Sequence, residues 1–165
     1  MEGGGRKINS SSKILITTQI ILGITLLIAT LRVDLNIEGL KAEIIDEINL
    51  QRSLNGLNRL QRNSKLDSAA QKHSEDMASR NYLDHTTPEG LKPEDRVEKV
   101  NYTFRLLGEI LQETAITDAE KIVQAWLQSR SHREIILNPY FTEIGIGIAV
   151  RNGILKITVI MAVPD

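Results

Sequence analysis

Two alternating runs meet at Asn152-Gly153, and that pair constrains the fold more than any other stretch of this chain. Over residues 143–150, Ile144, Ile146, Ile148 and Val150 point one way, while Gly145, Gly147 and Ala149 point the other. Successive strand side chains leave opposite faces, so this is one apolar face and one nearly bare face. Asn-Gly accepts the positive φ angles of a type I′ turn. Leu155, Ile157, Val159, Met161 and Val163 then return with a second apolar face. The reading is an antiparallel hairpin. Its glycine face admits the close approach of another element or of a ligand.

Helices precede the hairpin. Ile37, Leu40, Ile44, Ile45 and Ile48 recur at helical spacing, and Gly56 marks the end of that helix. Leu66, Ala69, Ala70, His73 and Met77 form the stripe of a second helix. Ser64 and Asp67 resemble a capping box at its start. Pro88 and Gly90 end it in a turn after Asn81, leaving His85 in a loop. Residues 93–100 read as a short helix opened by proline. Residues 105–112 read as a strand on which Glu109 shares a face with Leu107 and Leu111. A carboxylate there is costly unless it is paired or meets a polar cleft. Residues 117–129 read as a helix capped by Thr117 and Glu120, with Trp126 in its buried stripe and His132 in a turn just beyond. Helices, a strand, a helix and a hairpin give an α+β class.

Residues 14–31 carry no charge. About 18 residues make roughly 27 Å of helix, close to the hydrocarbon thickness of a bilayer. Arg6, Lys7 and Lys13 precede the run, and basic flanks stay on the cytoplasmic side. The run is apolar all round rather than striped, and no small-x-small cleavage site follows it. The expected organisation is a cytoplasmic tail over 1–13, a transmembrane signal-anchor helix over 14–33 and one exported domain over 34–165. That makes a single-pass protein of the cell membrane with its domain extracytoplasmic.

A net charge of −1 argues against nucleic acid as a partner, since such surfaces carry a basic patch. Cysteine is absent, so the exported domain is held by its core alone. There is no phosphate-binding glycine loop, no H-E-x-x-H and no nucleophile set beside a base in a familiar motif.

The ordered motifs carry a resemblance. Ala70, His73, Ser74, Asp76, Met77 and Ala78 are followed by Asp84, His85, Thr86, Pro88 and Gly90, then by Asp95 and Arg96. Asn49 and Arg52 come earlier; Leu107-Gly108-Glu109, Trp126-x-x-Ser129-x-x-His132-Arg133 and residues 142–149 follow. This order resembles the bacterial branch of the CAP superfamily, the SCP-like domain of cysteine-rich secretory, antigen 5 and pathogenesis-related 1 proteins. The resemblance implies an α-β-α sandwich with a small antiparallel sheet between helical layers. It also implies that Asn49 and Arg52 fix the first helix to neighbouring backbone. A shared cleft would hold His85, Glu109 and His132, with a divalent metal such as zinc held by the histidines. Glu109 is then either a ligand or the group that orients an imidazole. The family's second glutamate falls at Ser129, and the residue after the first glutamate is Ile110 where the family has asparagine. His73 reads as a satisfied core histidine outside the cleft.

Three functions are compatible with that cleft. The first is a binding module for a metal or for a lipid, sterol or cell-envelope ligand. The second is a metal-assisted hydrolase using the same three residues as catalytic candidates, with Glu109 as general base. The third is a structural or adhesive ectodomain whose cleft is vestigial. The missing second carboxylate favours binding or vestigial use over catalysis.

Overall fold

The computed structural model describes residues 10–165, and among these the side chains of all but 10–17 and 28–35. Two compact units divide the chain, residues 1–38 and residues 39–165. In the first, α1 (Ser10–Leu54) begins, and it runs without interruption to the end expected near Gly56. Among the described residues no helix is long and apolar enough to cross a membrane. Much of the expected tail and both ends of the expected 14–33 span lie outside the residues so described.

The second unit holds β1 (Gln61–Arg62), α2 (Ser64–Arg80), α3 (Pro93–Glu98), β2 (Phe104–Thr114), α4 (Ala119–Gln128), α5 (Arg130–Ile136), β3 (Glu143–Arg151) and β4 (Ile154–Pro164). It is α+β, with one four-stranded sheet in the order β1-β3-β4-β2. The hairpin is β3 and β4, turned on Asn152 at φ 51° and Gly153 at φ 77°. β2 pairs β4 antiparallel, which leaves β2 at an edge. β1 pairs β3 in parallel, so the sheet is mixed where an antiparallel one was expected. Two residues have no periodicity to read.

The register assigns the faces. Residues paired across a sheet share a face, so Glu109, Ile160 and Gly145 lie in one row and Gly108, Met161 and Ile144 in the next, facing the other way. α2 occupies the first face. A Cβ on Gly145 would stand 2.2 Å from the Leu66 carbonyl carbon, and one on Gly147 2.3 Å from that of Ala70. The bare face is therefore a seat for a helix backbone. Asp67 Oδ1 accepts from Ile146 N, Gln71 Oε1 accepts from Ile148 N, and Ser74 Oγ donates to Gly147 O. Leu66, Ala69 and Ala70 pack there with Val97, Tyr102, Ile160 and Ala162. On the second face a Cβ at Gly108 would meet Phe141 and Ile135, which places α5 there. Helices thus cover both faces.

Several helix ends differ from expectation. Asn63, not Ser64, caps α2, accepting from Lys65 N and Leu66 N, because Asp67 is drawn across to the sheet. Asp118, not Thr117, caps α4 by accepting from Lys121 N. His132 lies in α5 rather than in a turn; Ser129, extended at φ −80° and ψ 125°, ends α4 and starts α5. Trp126 is buried as expected.

Asn49 and Arg52 do fix α1 to neighbouring backbone. Asn49 exchanges two hydrogen bonds with the backbone of Leu60. Arg52, fully buried, donates to the carbonyls of Asn58, Ile136, Asn138 and Phe141. The carbonyls at the end of α5 have no partners within their helix and carry its negative pole, which suits a guanidinium. Arg52 thereby anchors the helix that carries His132.

Candidate functional site

β2 brings Glu109 to the edge of the sheet on the α2 face, where α3 and the loop after α2 converge on it. The carboxylate is nearly inaccessible, with 2% of its side chain exposed. Both oxygens are engaged. Oε2 accepts from a guanidinium nitrogen of buried Arg96 at 2.6 Å, and Oε1 stands 2.8 Å from His85 Nδ1. The cost foreseen for a carboxylate on an apolar strand face is met by this pairing.

Arg96 does more than neutralise Glu109. It also donates to the carbonyl of His85 at 2.7 Å and to that of Leu91 at 3.0 Å. One side chain on α3 therefore fixes both ends of the 85–91 loop and the carboxylate that orients the loop's imidazole. Within the loop, Thr87 N donates to Leu91 O, and Gly90 takes the left-handed φ of 87°. Sequence reasoning finds Arg96 only as part of a family motif, since a buried arginine on a short helix has no local signature.

His85 is half exposed. Glu109 holds its pKa above the usual histidine value, by hydrogen bond first and by charge in addition, against the opposing effect of burial. His132 is shifted the other way. Burial lowers its pKa, and so does the charge of His85. His85 lies in the loop after α2 and His132 in α5. Of the three sequence candidates, Glu109 contacts His85 and stands behind it rather than free to act alone.

His73 is buried on α2, with Nε2 3.0 Å from the Asp84 carbonyl. Its pKa is lowered by burial and then by Arg96. Only half of the expectation of a satisfied core histidine holds, because Nδ1 has no partner among the described residues. The hydroxyl of Ser129, where the family's second glutamate falls, lies 3.2 Å from that of Ser131. Ile110 is wholly buried in the core.

Among the described residues no three His, Cys, Asp or Glu side chains are grouped to hold an ion. The residue types of His85 and His132 nevertheless suit zinc. Zinc takes neutral imidazole nitrogens. A carboxylate behind a ligating histidine fixes its tautomer. Here Nδ1 is committed to Glu109, so Nε2 of His85 is the nitrogen left to bind. With Glu109 engaged on both oxygens, a metal would be held by His85 and His132.

Comparison with known proteins identifies the family. The model of the CAP family, described as the cysteine-rich secretory protein family, matches residues 45–161. The uncharacterised protein YkwD of Bacillus subtilis is 33% identical over 112 residues, which are 68% of this chain and 43% of that protein. The uncharacterised membrane protein YlbC of the same organism is 32% identical over 106 residues, 64% of this chain and 30% of that protein. The crystal structure of an extracellular protein containing a SCP domain from Bacillus anthracis is similar with a TM-score of 0.70 and 29% identity, covering 76% of this chain and 41% of that one. The chain spans less than half the length of each. With the ordered motifs, the paired Glu109 and a family match over most of its length, the chain belongs to the CAP family, although it contains no cysteine.

Proposed function

We propose that this chain is a membrane-anchored, extracytoplasmic binding module whose cleft holds a divalent metal such as zinc between His85 and His132. The observation that carries the reading is the Arg96–Glu109–His85 relay, and the charge of His85 acts on His132. Arg96 holds Glu109, Glu109 holds Nδ1, and the ring is left with Nε2 to offer. A bound zinc ion supplies a Lewis-acidic position that accepts an oxygen or nitrogen ligand. The protein's own part is to fix the imidazole and to keep the carboxylate from water.

Anchoring rests on a separate observation. Every side chain over residues 18–27 is exposed, among them Ile20, Ile21, Leu22, Ile24, Leu26 and Leu27. A helix apolar on all sides suits lipid rather than water. The relatives' descriptions as a membrane protein and as an extracellular protein support the same placement.

Calorimetric zinc titration of the full chain in lipid nanodiscs tests the metal reading. One site is expected at neutral pH and little heat at pH 5, because protons compete for imidazole. His85→Ala or His132→Ala each removes the heat, and Glu109→Gln weakens binding about 10–100-fold. No zinc heat from a stably folded chain would leave a vestigial cleft. Metal-dependent turnover that Glu109→Gln abolishes while zinc still binds would make the protein a hydrolase.

A further inference from the structure

A cavity of about 280 Å³ opens to solvent between α2, the 87–91 turn and α3, and none of His85, Glu109 or His132 lines it. Taking roughly 30 Å³ for each water of the liquid, the space equals about nine waters. That is room for a compact organic molecule with the walls where they are. Ala69 of α2, Leu91 of the turn and Val100 just beyond α3 give it an apolar lining.

The charges of the lining do not balance. Lys72, Arg80, Arg96 and Lys99 line the cavity together with Asp76 and Glu89. Arg80 is ion-paired to both of those carboxylates. Arg96 is ion-paired to Glu109, which lies outside the cavity. Burial and the nearby Arg96 lower the pKa of His73, which keeps its ring neutral. Four cations against three carboxylates leave one positive charge in excess. It falls on Lys72 and Lys99, both exposed, whose ammonium groups have no hydrogen bond or ion pair among the described residues. They come from different elements, Lys72 from α2 and Lys99 from the C-cap of α3. An apolar recess flanked by unanswered positive charge fits a ligand that carries both features.

We propose that this cavity binds a small monocarboxylate with a compact apolar body. The body lies in the recess against Ala69, Leu91 and Val100, and the carboxylate stays at the mouth, where Lys72 and Lys99 meet it. Long apolar stems let both ammonium groups turn to the anion while remaining in water. A single negative charge matches the excess of one, whereas the second charge of a dianion would meet only Asp76 and Glu89. The site does not rest on the zinc reading, since it uses none of His85, Glu109 and His132.

The test uses the full chain in lipid nanodiscs, with methyl-labelled alanine, leucine and valine, and titrates phenylacetate, phenylacetamide and acetate. Methyl resonances read the site itself, so partition of a ligand into the lipid does not enter the measurement. Phenylacetate is expected to shift the methyls of Ala69, Leu91 and Val100 and to show nuclear Overhauser contacts from its ring to them. It should bind about fivefold tighter than phenylacetamide, which keeps the shape and loses the charge. It should bind at least about tenfold tighter than acetate, which lacks the body. Lys72→Gln with Lys99→Gln, both exposed, should bring phenylacetate down to the level of phenylacetamide and leave phenylacetamide unchanged. Equal binding of the acid and the amide, or of phenylacetate and acetate, overturns the proposal. So does a double variant that keeps the preference for the acid. So do unmoved methyls at roughly 10 mM phenylacetate, a concentration at which even weak specific binding is seen. The three-ligand comparison needs no variant, so it decides the question on the parent chain alone.

Discussion

Arg96 is the residue on which the candidate site turns. Its guanidinium sits 2.6 Å from a carboxylate that water does not reach, and it holds the carbonyls of His85 and Leu91 as well. Removing one partner of a buried pair strands the other charge, at a cost of about 3–5 kcal/mol. Arg96→Met, close in shape, should therefore destabilise the chain by about that much in urea unfolding. Adding Glu109→Gln should recover part of the loss, since the stranded group is then neutral. An Arg96→Met chain within about 0.5 kcal/mol of the parent would show that Glu109 is not held this way. At this scale the sequence was partly legible. A carboxylate between Leu107 and Leu111 announces that it needs a partner. It does not say which cation answers, because the thirteen positions from Arg96 to Glu109 are closed by the fold and not by any helix or strand period.

At the scale of elements, the packing of α2 on β3 is set by what the glycines lack. Gly147→Ala places a methyl 2.3 Å from the Ala70 backbone, and a helix backbone cannot give way as a side-chain end does. The expected result is a loss of about 3 kcal/mol or more, or failure to fold, read by thermal unfolding. Gly39, in α1 with nothing within 4 Å, is the control. There alanine should stabilise by about 0.5–1 kcal/mol, through helix propensity and a less disordered unfolded chain. Equal effects at the two positions would mean that α2 does not sit on the glycine face. The bare face was readable from Gly145, Gly147 and Ala149, but its occupant was not, since a ligand and a helix make the same demand. Local competition explains the displaced caps. Ser64 and Asp67 imitate a capping box, yet Asp67 spends its carboxylate on Ile146 N and on Arg62, and Asn63 takes the cap. α5 is invisible to periodicity because seven residues are too few for a period and the break at Ser129 is a single extended residue.

The whole molecule joins an apolar segment, exposed over the ten described positions of 18–27, to a domain with its own core. Protease added to intact cells should remove the domain, while alkaline carbonate should leave the chain in the membrane. Protection of the domain would reverse the proposed topology, and release by carbonate would remove the anchor. Within the domain, the proposed metal site depends on two histidines that the same surroundings push apart. Glu109 favours the protonated form of His85, so its stabilising contribution is complete below the reference value near 6.5 and fades as pH rises through the higher folded value. Zinc requires the deprotonated ring, so its affinity climbs over that same window. His132, lowered by burial and by His85, is already neutral there. The direct measurement is a pH titration of the three imidazoles by nitrogen-15 NMR on the full chain, without and then with zinc. The expected midpoint for His85 lies above about 6.5 and that for His132 below it. Zinc at neutral pH should shift both of these rings and leave His73 in place. A His85 midpoint at or below that value, or zinc that moves only one of the two rings, would contradict a shared metal site held by the Glu109 relay.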